Sequence, residues 1–149
     1  MQPIKRIISG DKVVIYSNEH MQAHLDVLPF IEEAITLIKF SDDKIQKVVV
    51  DFGRIVGKTT CVTVTDNDEI YYAIRSGRKW PSKMVKNREP EECSTMCLVI
   101  KKTKYENVYR LITAYFGIKS EREEFDTNVT SDLEKERVFS FWKNKALIY

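Results

Sequence analysis

The amino-acid sequence predicts an α+β domain in which a long N-terminal helix packs on an antiparallel β-meander of four to five strands, followed by a short C-terminal helix. Three observations support this fold class. Apolar side chains recur every three or four residues over residues 21–38, β-branched and aromatic residues dominate several segments of residues 47–116, and a second helical pattern covers residues 133–145. With 149 residues, 43% of them apolar, the chain can fill one core, so we expect a single domain over residues 1–149.

The first predicted helix is defined by its apolar positions, which share one face: Leu25, Leu28, Ile31, Ala34, Ile35 and Ile38. Ser17 and Asn18 precede the pattern and offer an N-cap. Pro29 lies inside it. Because proline cannot donate a backbone hydrogen bond, we expect a kink or two consecutive helical segments there.

The predicted strands share β-branched and aromatic residues between turn-forming positions, and they cover residues 47–51, 59–65, 69–74, 95–102 and 108–116. Asp66-Asn67-Asp68 predicts a hairpin between the second and third of them. In the last strand, period-two alternation predicts that Thr113 and Tyr115 share one face.

The segment from Asp51 to Val64 resembles a phosphate-binding loop because it contains Gly57-Lys58-Thr59. Such a loop needs four residues between its glycines and a helix after it. Only three residues separate Gly53 from Gly57, and residues 59–65 alternate like a strand. We therefore expect a turn or bulge here, and no nucleotide cofactor.

The most chemically suggestive stretch is residues 71–90, YYAIRSGRKWPSKMVKNREP. It carries six cations and no acid between its first and last arginine: Arg75, Arg78, Lys79, Lys83, Lys86 and Arg88. Trp80 and Ser82 are interleaved, so the loop could bind phosphate oxygens and stack a base. The alternative is a solvated basic loop that pairs with the acidic residues 121–126.

His20 and His24 are the only histidines, and their spacing places both on one face if the surrounding turn is helical. No third ligand is evident, so we expect no metal. One of them could act as a general base near neutral pH. A capping or surface histidine is the alternative.

Composition limits the class of protein. The net charge of +2 gives no global argument for nucleic-acid binding, so any such argument must be local. No apolar run reaches membrane-spanning length, and the start lacks the apolar block of a signal peptide. Cys61, Cys93 and Cys97 lack paired zinc spacing and predict free thiols in a cytoplasmic protein.

Four segments together resemble a family of small bacterial and phage domains: DFGRIVGKTT, DEIYYAIRSGRKWPSKMVKNREP, YRLITAYFG and FWKNKALIY. That family carries a helical histidine, an Arg-x-x-Arg loop with serine, a strand ending Thr-Ala-Tyr-x-Gly, and a terminal Phe-Trp-x-x-His-Ala-Leu. It is similar to the barnase–EndoU–colicin–RelE superfamily of metal-independent ribonucleases, found as toxins and phage effectors. The resemblance covers residues 20–149.

The resemblance implies an endoribonuclease that cleaves RNA by attack of a ribose 2′-hydroxyl on the adjacent phosphate, with no cofactor. The implied catalytic residues are His24, Arg75, Arg78, Ser82 and Thr113. The expected RNA- or phosphate-binding residues are Lys79, Trp80, Lys83, Lys86, Arg88, Tyr115, Lys145 and His20. An acidic immunity or antitoxin protein is the partner that the resemblance implies beside RNA.

Lys145 stands where the family pattern has histidine, which keeps a second reading open. A non-catalytic RNA- or partner-binding module on the same fold would bind RNA without cutting it. A third reading is ADP-ribosyl transfer, because Arg75, Ser94-Thr95 and Glu121-x-Glu123 follow the order of residues in such toxins.

Overall fold

The structure is a computed structural model that describes residues 4–17 and 26–148. In that part of the chain, eleven strands form three sheets. The strands are β1 (Ile4–Ser9), β2 (Lys12–Ser17), β3 (Ile45–Asp51), β4 (Gly57–Thr59), β5 (Cys61–Thr63), β6 (Ile70–Ile74), β7 (Pro81–Val85), β8 (Glu91–Cys93), β9 (Thr95–Lys102), β10 (Val108–Phe116) and β11 (Lys145–Leu147). The two α-helices are α1 (Ile31–Thr36) and α2 (Asp132–Trp142).

The chain forms two compact units, each built from two segments. Unit 1 comprises Met1–Lys58 and Glu92–Lys119, and unit 2 comprises Thr59–Glu91 and Ser120–Tyr149. Strands β4 and β8 pair in a two-stranded sheet. Because each unit is built from two segments, it combines strands that are distant in sequence.

Unit 1 contains a five-stranded sheet with the order β1-β2-β10-β9-β3. All its pairs are antiparallel except β10 with β2. Strands β1 and β2 form a hairpin in which Ser9 pairs with Lys12. Gly10 takes the first loop position with φ of 60°, a conformation that glycine adopts without steric cost.

One face of this sheet carries the core of unit 1. Ile31 and Ile35 of α1 are fully buried with Val14, Leu98 and Leu111 of the sheet. Burying a side chain of this size stabilises the fold by about 1.5–3 kcal/mol. Helix α1 is thus held by its apolar face, because its N-cap Phe30 makes no side-chain capping bond.

Unit 2 contains a four-stranded sheet with the order β5-β11-β7-β6. The short strand β11 lies inside this sheet, antiparallel to β5 and parallel to β7. Val62, Val85 and Ala146 form one buried cluster, while Val138 and Trp142 of α2 belong to another. Ser131 caps α2 by accepting a hydrogen bond from the Glu134 N–H.

The prediction of a long N-terminal helix is wrong. Residues 26–30 form a 3₁₀ turn and α1 has only six residues. The apolar spacing of residues 31–38 was read correctly, since Ile31, Ala34, Ile35 and Ile38 are all buried. Pro29 lies in the 3₁₀ turn, which tolerates its missing N–H. A regular α-helix would lose a backbone hydrogen bond at this proline. The chain is mostly β, and residues 18–25 lie outside the described part.

The predicted antiparallel meander is also wrong. Strands β9 and β10 have the expected bounds, but β5 and β6 are not neighbours, so the Asp66-Asn67-Asp68 turn does not form a hairpin. In the four-stranded sheet, β11 lies between β5 and β7, and β6 pairs only with β7. The closing helix ends at Trp142, and Lys145 begins a strand.

Gly57 begins a strand, so no helix follows the sequence that resembles a phosphate loop, as predicted. A side chain at Gly57 would overlap three ring atoms of Phe116. This glycine is therefore required by close packing inside unit 1.

Candidate functional site

The basic segment of the sequence forms a β-hairpin in unit 2. Strands β6 and β7 pair antiparallel, with Ala73 opposite Ser82 and Ile74 opposite Pro81. Residues 75–80, here called the hairpin tip, connect them. The Arg78 N–H donates to the Arg75 carbonyl over 3.0 Å, and Gly77 has φ of 78°. Arg75 therefore directly follows β6 and Ser82 lies in β7, which places the two residues across the base of the hairpin tip.

Arg75 is held from two sides. Its Nε donates to Ser82 Oγ over 3.0 Å, and one terminal nitrogen donates to Glu123 Oε1 over 3.1 Å. Ser82 is 0% exposed, so its hydroxyl serves this arginine and not solvent. A guanidinium has five N–H donors. With two used, three remain without an acceptor among the described residues.

Glu123 joins the two ends of the hairpin tip. Its second oxygen accepts a hydrogen bond from Trp80 Nε1 over 2.9 Å. The Glu123 side chain is 14% exposed and that of Arg75 is 27% exposed, so the pair is largely shielded from water. We call Arg75, Trp80, Ser82 and Glu123 the Arg75–Glu123 cluster. The side chain that organises it, Glu123, was absent from the predicted site.

The acidic segment also reaches the other face of the sheet. Tyr72 hydroxyl donates to Glu124 Oε1 over 3.3 Å, and the Tyr72 ring contacts Phe125 edge-on at 5.7 Å between centroids. Partial burial and then the Glu124 carboxylate raise the pKa of Tyr72. Tyr72 and Ala73, which is paired with Ser82, point to opposite faces. Residues 123–125 therefore pass along the free edge of β6.

These contacts bear on the alternative interpretation of the basic segment, in which it pairs with residues 121–126. Arg75 and Trp80 bind Glu123 directly. That pairing is confirmed for the hairpin tip. It does not extend to the whole segment, because the remaining cations have different partners or none.

Four predicted phosphate-binding cations are engaged elsewhere in unit 2. Lys83 Nζ donates to the carbonyl of Trp142 at the end of α2, and Lys145 Nζ donates to Thr63 Oγ1 over 2.6 Å. Lys86 lies 3.5 Å from Glu69, a weak ion pair. Arg88 donates to the carboxylates of two residues and to a backbone carbonyl: Asp68, Glu91 and Thr63. These contacts of the four cations stabilise unit 2.

Arg78 and Lys79 are the exception. Both are exposed at the hairpin tip, and neither side chain has an ion pair or hydrogen bond in residues 4–17 and 26–148. The structure therefore offers two uncommitted charges beside one arginine with spare donors, Arg75. An exposed anion could approach all three from the tip.

The structure does not bring every predicted site residue into this cluster. Thr113 and Tyr115 belong to unit 1. Thr113 and Tyr115 share one face, as predicted, because they alternate with the core residues Ala114 and Phe116, while a β-bulge before Thr113 places Leu111 in that same core. His20 and His24 lie outside the described residues. Ser94 and Thr95, from the ADP-ribosyl transfer reading, also belong to unit 1.

A cavity of about 660 Å³ lies elsewhere in unit 2, where Asp68, Lys83 and Lys143 contribute polar atoms to its wall. Asp68 is bound by Arg88, and Lys83 is bound by a helix carbonyl. Two of its charged groups are thus already paired, so the cavity is a weaker candidate than the Arg75–Glu123 cluster.

Thiol chemistry is disfavoured. Cys61, Cys93 and Cys97 are free, as predicted, and burial raises the pKa of each thiol. Since the thiolate is the nucleophile, a raised pKa leaves less of it at neutral pH.

No protein-family model, curated protein or solved structure matches the chain. Within the described ranges, no helix has the length and apolar character needed to cross a membrane. The function must therefore be argued from the site itself.

Proposed function

We propose that this protein is a metal-independent endoribonuclease that cleaves RNA by 2′-hydroxyl transesterification, with the Arg75–Glu123 cluster as its phosphate site. One observation carries the proposal: Arg75 is fixed by a buried hydroxyl and a carboxylate while three of its N–H donors stay available. A guanidinium fixed in this way can stabilise the charge that develops on a phosphorane without reorganising.

The reaction assigns a role to each residue. The 2′-oxygen attacks phosphorus, the bond from phosphorus to the 5′-oxygen breaks, and a 2′,3′-cyclic phosphate forms. His24, the residue implied by the resemblance, accepts the 2′-hydroxyl proton, and the leaving 5′-oxygen takes up a proton from solvent water. Arg75 binds the non-bridging oxygens, while Arg78 and Lys79 bind neighbouring phosphates. Ser82 is buried, so its role is to position Arg75.

Glu123 acts as a positioning residue in this proposal. Its carboxylate orients Arg75 and Trp80 before RNA arrives. It also competes with phosphate for the guanidinium, so cleavage depends on how the two anions share Arg75. In a cytoplasmic toxin or phage effector, an acidic immunity or antitoxin protein could cover Arg78 and Lys79 in the same way.

The test is cleavage of a fluorescent single-stranded RNA in EDTA, with analysis for 2′,3′-cyclic phosphate ends. Arg75→Gln should lose about 10²–10³-fold in rate, as expected for loss of a transition-state donor. The matched control is Arg137→Gln, an exposed arginine of unit 2 that is paired with Glu121. Equal cleavage by both variants, or no cleavage by the wild type, would contradict the proposal.

A second function, a non-catalytic RNA- or partner-binding module, is favoured by Lys145. This lysine, which stands where the related pattern has histidine, begins β11 and donates a hydrogen bond to Thr63. Retention of labelled RNA without any cyclic phosphate product would support that function. An RNA with a 2′-deoxy sugar at the cleavage position separates the two, because it can be bound but not cut.

A further inference from the structure

The five-stranded sheet of unit 1 has a second face, opposite the one that packs on α1. Arg110 lies between Tyr109 and Leu111, which are both buried in the core, so its side chain points away from that core. Lys101 follows the buried Ile100 and points the same way. Arg6 precedes Ile7, which packs on the core.

Strand register aligns these cations in one row. Arg6 pairs with Ile15, Ile15 with Arg110, and Arg110 with Lys101. Three strand spacings separate the ends of the row, so it spans about 14 Å. Lys47 extends it, because it pairs with Val99, two residues before Lys101 on the same face. We call Arg6, Lys47, Lys101 and Arg110 the basic sheet face.

The basic sheet face lacks compensating charge. None of its four cations forms an ion pair with any residue in the described ranges. Arg110 and Lys101 stand directly opposite each other, an arrangement of like charges that destabilises a sheet. Asp51 is the one carboxylate on this face of the described strands. It accepts the Gly53 N–H over 2.8 Å, about 13 Å along the strand from Lys47.

Apolar side chains surround the cations on this face. Ile45 is 57% exposed and Val49 is 43% exposed, on the same strand as Lys47. Charges that face no acid, set among exposed aliphatic groups on an open sheet, suit a ligand with a polyanionic backbone and apolar ring faces. Single-stranded nucleic acid has both, and open sheets are a known platform for it.

We infer that the basic sheet face binds the sugar–phosphate backbone of single-stranded RNA, an inference that rests on the proposed ribonuclease function and names a substrate contact in unit 1. The bound phosphates neutralise Arg110 and Lys101 and remove their mutual repulsion. Ile45 and Val49 contact the bases. This surface contributes affinity for the RNA strand.

The experiment measures fluorescence anisotropy of a labelled, single-stranded 2′-O-methyl RNA over a series of salt concentrations. This RNA cannot be cleaved, so binding is read independently of catalysis. The variant is Lys101→Gln/Arg110→Gln. Its control is Lys39→Gln/Lys135→Gln, which removes the same charge from exposed positions outside the face.

The double variant should reduce the steepness of log affinity against log salt by about 1.4, since each phosphate contact on a single strand contributes about 0.7. The control should keep the wild-type slope. Equal slopes for the two double variants would overturn the inference. The inference would also be overturned if poly-glutamate competed as effectively as unlabelled RNA, because the face would then show no preference for nucleic acid.

A stability measurement guards against misfolding. Removing the opposed like charges should leave the thermal midpoint of Lys101→Gln/Arg110→Gln at or above that of the wild type. A lower midpoint would contradict the pairing of Arg110 with Lys101, and Lys101→Gln alone would then be used in the binding assay. Absence of cleavage with intact, slope-dependent binding would remove the proposed nuclease function and leave this surface standing.

Discussion

The terminal nitrogen of Arg75 lies 3.1 Å from a carboxylate oxygen of Glu123, 48 residues further along the chain. The same carboxylate also accepts the Trp80 N–H. One acidic side chain thus fixes both ends of the hairpin tip that carries Arg78 and Lys79. The geometry of the candidate site depends on this contact more than on any other.

Glu123→Gln should therefore loosen the hairpin tip. The amide keeps the shape but loses the charge, so the free energy of unfolding in urea should fall by about 1.5–3 kcal/mol, the range for a hydrogen bond to a charged group. The control is Glu124→Gln, which weakens a single longer bond of 3.3 Å that Tyr72 donates. If both variants unfold at the same urea concentration, the Glu123 contacts do not form in solution.

The same substitution separates binding from chemistry. Without the competing carboxylate, Arg75 is more available to phosphate, so affinity for uncleavable RNA should rise. The cleavage rate at saturating RNA should fall, because the guanidinium is no longer oriented. A change in affinity with no change in that rate would assign Glu123 a purely electrostatic role.

Gly57→Ala should destabilise the protein because the new methyl group overlaps the Phe116 ring. Overpacking of this kind costs typically about 1–3 kcal/mol. Phe116 is buried and contacts Phe30 edge-on at 5.9 Å, so it has little room to move. Urea unfolding measures the loss.

A double-mutant cycle tests the cause. Phe116→Leu removes the atoms that the methyl group would meet, so Gly57→Ala should cost less in that background than in the wild type. Additive losses would mean that the cost of Gly57→Ala does not arise from the close approach of Phe116.

Acid stability should depend on Asp68. The Thr65 N–H, and after it Arg88, holds the pKa of this carboxyl below its usual value of 3.8. A lowered folded-state pKa means that the stabilisation is complete above the unfolded pKa and is lost as pH falls through the folded one. Asp68→Asn should thus be less stable than the wild type at pH 6, and the difference should shrink progressively below about pH 4.

Urea unfolding of the wild type and Asp68→Asn between pH 6 and about pH 2 measures this trend. Asp66→Asn is the control, because Asp66 is exposed in the same turn. A difference that stays constant with pH would show that Asp68 contributes only through its shape, and equal behaviour of the two variants would rule out a specific role.

The sequence correctly predicts those strands that are continuous runs of apolar and β-branched residues. Residues 95–102 and 108–116 are apolar and β-branched, and β9 and β10 have those bounds. The Gly10-Asp11 pair between KRIIS and KVVIYS is an equally local hairpin signal that was missed. The helix was overestimated because apolar spacing continued through Pro29.

Sheet order was not predictable from those signals. Strand β11 has three residues, too few for a period-two pattern, and its neighbours β5 and β7 lie at least 60 residues away. The bulge at Thr113 likewise leaves no mark in an alternating sequence. The sequence shows that the basic segment and residues 121–126 have complementary charges. Only the fold shows that Glu123 is the acid that contacts Arg75.

The interior position of β11 has a consequence for synthesis on the ribosome. Strands β5 and β7 are translated well before residues 145–147, yet they have no direct pairing and meet only through β11. The four-stranded sheet therefore cannot form completely until residues 145–147 are available to pair with both strands.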